Sequence, residues 1–72
     1  MKYNPISCNL FDRIESLSVK GKMVNIKYQD GDDKNTAVGI IKNVFSKDNA
    51  EYLLINGLRI RLDMIISINE ID

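Results

Sequence analysis

This sequence offers few side chains that could do chemistry. It contains no histidine and a single cysteine, Cys8, in 72 residues. A zinc site, haem ligation and His-based general-base catalysis therefore lack their donors, and an internal disulfide is impossible. No neighbour of Cys8 in the sequence supplies the base or electropositive setting that a reactive thiolate requires, so it reads as a small buried apolar group. The segment Asp30-Gly31-Asp32-Asp33-Lys34-Asn35 crowds carboxylates as a calcium loop does, but the alternating ligands and the closing glutamate are missing. It reads as a solvated turn, or alternatively as an acidic edge facing a partner. The expectation is a protein that is not an enzyme, with no cofactor, no metal and no small-molecule substrate.

Two other sets of charges remain, each with two readings. Asp12 and Glu15 lie away from the apolar stripe of a helix, where carboxylates serve either as a solvated face or as a partner-facing acidic surface. Arg59 and Arg61 alternate with Leu58, Ile60 and Leu62, so they could contact phosphates or keep the wet side of a strand soluble and protected.

The elements that must position these charges centre on Glu51–Asp63. Two apolar, β-branched-rich runs flank Asn56-Gly57, a dipeptide that tolerates positive φ at both central positions of a tight hairpin turn. The second arm is half-buried by its alternation. The first, Tyr52 to Ile55, is apolar on both faces and calls for a covering element. A helix upstream fits that need, with Asn9 as its N-cap, Asp12 in its first turn, and Leu10, Ile14 and Leu17 in one stripe flanked by Phe11. Gly21 closes it.

A strand over Lys22–Gln29 follows, burying Val24, Ile26 and Tyr28, and a second runs from about Thr36 to Phe45 with Gly39 as a place to bend or bulge. Ser46-Lys47-Asp48-Asn49 is a polar turn into the hairpin. Met64, Ile65, Ile66 and Ile68 make a last strand before a mostly polar tail, Asn69 to Asp72. One helix and five bent antiparallel strands predict a mainly β fold, a small barrel occupying residues 1–72 as a single domain.

Ten basic residues against ten acidic ones give a formal charge of zero, which does not favour a dedicated duplex binder. The opening Met1–Pro5 segment lacks an apolar run of signal-peptide length, and no stretch of 18 apolar residues is present. These features predict a soluble, cytoplasmic protein with no membrane association.

Several blocks taken together resemble a known family. They are Tyr3-x-Pro5-Ile6-x-Cys8, Phe11-Asp12-x-x-Glu15, Asp30-Gly31, Ser46-Lys47-x-Asn49-x-Glu51-Tyr52-Leu53, and Arg59-x-Arg61-Leu62-Asp63-x-Ile65-x-Ser67. In this order they span nearly the whole chain, and they are similar to the Rof proteins, small bacterial Rho-binding antiterminators with an Sm-like fold. The resemblance implies a small Sm-like five-stranded barrel that binds the transcription termination factor Rho and blocks its RNA binding. Carried over position by position, it implies partner contacts by Phe11, Asp12 and Glu15 on the helix and by Lys47 and Asn49 in the loop, with Asp48 as their neighbour. Two alternatives stand beside it. Ile55-Asn56-Gly57-Leu58-Arg59-Ile60 is similar to the second motif of Sm-like RNA-binding modules, and the chain also fits an interaction domain for an unidentified protein partner.

Overall fold

The structure, a computed structural model, describes residues 2–71. Met1 and Asp72, the outer ends of the predicted lead-in and tail, lie outside the described residues. One helix, α1 (Cys8–Lys20), precedes five strands, β1 (Met23–Asp30), β2 (Asp33–Lys47), β3 (Ala50–Ile55), β4 (Leu58–Arg61) and β5 (Ile65–Glu70). A single 3₁₀ turn, Leu62–Met64, joins β4 to β5.

The helix begins two residues earlier than its sequence suggests. Ser7, in extended geometry, is the N-cap, and its hydroxyl accepts a hydrogen bond from the Leu10 N–H at 3.2 Å. Asn9 therefore sits inside the first turn and not at the cap. Starting at Ser7 puts Ile6 and Phe11 at the two positions of a hydrophobic staple, and both pack against the core. Asp12 consequently falls beyond the first turn, which holds no acidic residue. At the other end Gly21 takes φ of 65°. Its N–H bonds the Ser18 carbonyl and that of Lys22 bonds Leu17, the paired closure of a Schellman motif.

All neighbouring strands are antiparallel in the order β4-β3-β2-β1-β5. The long strand β2 holds two groups of strands together: Asp33–Ile40 pairs with β1, and Ile41–Lys47 pairs with β3. Three two-residue turns set the register. Gly31 has φ of 63°, Asp48 and Asn49 have φ of 52° and 64°, and Asn56 and Gly57 have φ of 53° and 74°. Positive φ at both positions is the type I′ pattern, whose twist suits a β-hairpin. The Asn56-Gly57 turn is thus as predicted. The predicted Asp30–Asn35 turn shrinks to Gly31-Asp32, because a glycine with positive φ reverses the chain in two residues and frees Asp33 to Asn35 for β2.

Gly39 is not the bulge. It pairs regularly with Val24, and the register shifts instead between Ile41 and Asn43, leaving Lys42 as the extra residue. The extra residue changes which face points inward. Ala37 and Ile41 face the core before it, and Val44 packs against the core after it.

The core joins Ile14 and Leu17 of α1 to Val24 and Ile26, Ile41, Leu53 and Ile55, Ile60, Leu62 and Ile68. Ile14 is fully buried, as its stripe predicted. Of the strands, β2 is the helix's main neighbour, not the first hairpin arm, and the Ser18 hydroxyl donates to the Ile41 carbonyl at 3.1 Å. Tyr28 is only half-buried, and Leu58, at the hairpin tip, is 39% exposed. Cys8 is exposed, not buried, because at the first helical position it points off the end of the packed face. The predicted polar tail joins β5 as far as Glu70. No helix among the described residues is long and apolar enough to cross a membrane.

Candidate functional site

The predicted site residues fall in two places. Asp12 and Glu15 are exposed on α1, on the side away from Ile14 and Leu17. Phe11 differs from them: it is half-buried and packs against the core, so most of its ring is spent on folding. Lys47, Asp48 and Asn49 are all exposed at the β2–β3 turn. Glu15 lines a shallow depression with Ser18, Val19, Asn43 and Val44, whereas Asp48 and Asn49 line a different cleft with Lys2, Tyr3, Tyr52 and Arg61. Val19, one helical turn beyond Glu15, is 87% exposed. An isolated exposed valine carries little sequence signal, yet here it stands next to the acidic face.

The second cleft, of about 490 Å³, belongs to a cluster that joins the two ends of the chain. Arg61 grips Asp63 in a bidentate pair, Nε to Oδ1 at 2.7 Å and a terminal nitrogen to Oδ2 at 2.6 Å. The Asp63 side chain is 4% exposed, and the Asn4 N–H donates to its Oδ2 at 2.9 Å. Arg61 also donates to the Lys2 carbonyl at 3.0 Å and lies over the Tyr3 ring, 5.5 Å from its centroid. Tyr3 completes the strap by donating its hydroxyl to Glu51 Oε1 at 2.9 Å.

Electrostatics follow this geometry. The Arg61 hydrogen bonds, aided by the Asn4 N–H, hold the Asp63 carboxyl below its ordinary value against the effect of burial. Burial and then the bond to Glu51 push Tyr3 up to about 12. Arg61 is thus a bound structural cation, a role that its alternation along the strand did not reveal. The sequence did place Tyr3 and Asp63 in blocks at opposite ends of the chain, and the fold brings those blocks into contact.

On the same side of the sheet, Phe45 and Tyr52 face each other across β2 and β3 with ring centroids 5.5 Å apart and planes 22° from parallel. The guanidinium of Arg59, two residues before Arg61 (the β4 partner of Tyr52), reaches diagonally over the Tyr52 ring, 5.0 Å from its centroid. A further cleft of about 290 Å³ opens beside them, bounded by Tyr28, Gln29 and Asp30 at the end of β1 and by Leu58 to Arg61 of β4. Tyr52 and Arg61 line both clefts.

The class these features define is a small, mainly β domain with one helix on an antiparallel five-stranded sheet. No protein-family model matches the chain, and no curated protein does either.

Proposed function

We propose that this chain is a non-catalytic inhibitor that binds the transcription termination factor Rho and blocks its access to RNA, with an Sm-like barrel as its fold and the bacterial cytoplasm as its setting. The carrying observation is the acidic helix face. Asp12 and Glu15 are exposed while Ile14 and Leu17, on the opposite side of the same helix, are buried. Both carboxylates are therefore free to meet a basic RNA-binding surface and compete with phosphates there. The exposed Val19 adds an apolar contact beside them. The order of the blocks shared with the Rof proteins, and a strand succession of one helix and five antiparallel strands, support the same reading.

The test is binding of purified Rho to the native protein and to the double variant Asp12→Lys, Glu15→Lys. The reversals should weaken binding and leave the circular dichroism spectrum unchanged, since neither side chain reaches the core. Rising salt should slow association of the native protein more than that of the variant. Arg59→Glu is the control on the sheet face; Arg61 is unsuitable because its loss would release Asp63. If Rho does not bind, or if the control abolishes binding while the helix reversals leave it intact, the proposal fails.

A further inference from the structure

We propose that the sheet face around Tyr52 binds an unpaired nucleic-acid strand, stacking bases on its aromatic rings and meeting phosphates with Arg59 and Lys2. This goes beyond Rho binding and does not depend on it.

Four of the five aromatic side chains of the chain, all but Phe11, gather on this face. Phe45, Tyr52 and the Arg59 guanidinium form a row of planar groups at spacings of 5.5 Å and 5.0 Å. A row of that kind is extended by one more planar group, and every base offers one. Among the described residues, neither the Tyr28 nor the Tyr52 hydroxyl has an intramolecular hydrogen-bond partner, and neither hydroxyl is buried, so both are free at the cleft. The two clefts, of about 290 Å³ and 490 Å³, meet at Tyr52 and Arg61. Each has room for a single splayed base.

Charge decides which strand contacts remain. Arg59 and Lys2 form no ion pair with a described carboxylate. Arg61 is committed to Asp63, and Glu51 already accepts the Tyr3 hydroxyl. Asp30 and Asp48 lie toward the two ends of the face. Few phosphates can therefore be neutralised, and the affinity must come mainly from stacking. That separates this mode from the electrostatic binding of a basic protein, which is dominated by phosphate contacts.

The test needs no Rho. A fluorescent, unstructured RNA of roughly 12 nucleotides, and the DNA of the same sequence, are titrated with the full chain and followed by anisotropy. Saturable binding of either, not displaced by duplex, is expected. The logarithmic salt slope should be about −1.4, from two phosphate contacts at about −0.7 each. Phe45→Ala removes the aromatic ring at the end of the row, where a base would add, and should weaken binding roughly 5- to 150-fold, while Phe45→Tyr keeps the ring and the affinity. The chain has no tryptophan and all three of its tyrosines line these clefts, so an unlabelled strand should quench the intrinsic fluorescence of the native protein. This readout holds even where Phe45→Ala fails to fold. Absence of binding or of quenching overturns the proposal. So does a salt slope steeper than about −4, which signals phosphate-led attraction, or unchanged affinity in a folded Phe45→Ala variant.

Discussion

The Asn56 side chain occupies the space where a side chain on Gly39 would begin. A Cβ built on Gly39 would lie 2.6 Å from Asn56 Oδ1 and 2.9 Å from its Nδ2. The same amide nitrogen donates to the Val38 carbonyl at 2.6 Å. The tip of the β3–β4 hairpin is thereby fastened to the middle of β2, 18 residues earlier in the chain. Gly39→Ala should push the carboxamide away, at a cost of about 1–3 kcal/mol. In an Asn56→Gly background, which keeps a residue suited to the turn's φ of 53°, the cost should shrink. A double-mutant cycle in urea would measure the coupling, and equal costs in the two backgrounds would show that the contact carries no energy.

Ile14 anchors α1 with none of its surface exposed. Replacing it by alanine should cost roughly 2–5 kcal/mol, read as a lower urea midpoint with an unchanged slope. In a domain of this size that is a large share of the total.

Acid should loosen the strap that holds the N-terminal segment. Asp63 has a lowered folded-state pKa, so its contribution is present above the unfolded value of about 3.9 and is lost as pH falls through the folded value. Asp63→Asn should cost on the order of 2 kcal/mol at neutral pH. The stability difference between native protein and variant should start to shrink as pH falls below about 4 and vanish below the lowered folded value, whereas a difference that persists below that value would point to lost packing and not to charge.

Base acts on the other end of that strap with the opposite sign. Because Tyr3 is raised to about 12, its contribution is complete below the unfolded value and disappears as pH climbs through about 12. Tyrosinate absorbance should show a step near that pH that Tyr3→Phe removes.

Cys8 should be modified by a thiol reagent in the native state, one equivalent per chain and without denaturant. Protection until unfolding would return it to the interior that its sequence suggested.

The elements of this fold were legible because they rest on local chemistry. The alternation around Val24 and Ile26, the stripe of Ile14 and Leu17, the helix stop at Gly21 and the Asn56-Gly57 turn each follow from nearest-neighbour sterics and periodicity. The helix start was less legible, since Ser7 and Asn9 are both good caps and only the docking of Ile6 and Phe11 on the core separates them. The candidate site was legible in half. The exposure of Asp12 and Glu15 follows from the helical period, but the burial of Phe11 and the exposure of Cys8 depend on where the helix meets the sheet.

What the tertiary structure alone decided are the contacts between residues far apart in the chain. Periodicity assigns Arg61 to a wet strand face, and only folding brings Asn4 and Tyr3 up to it and turns Asp63 back onto its guanidinium. Gly39 reads as a bend by itself and becomes a contact point once Asn56 arrives from another hairpin. Local order follows from steric preferences within a few residues, and those the sequence carries directly. Pairings such as Tyr3 with Glu51, 48 positions apart, depend on how the long strand β2 turns at Lys42, and that geometry exists only in the assembled sheet.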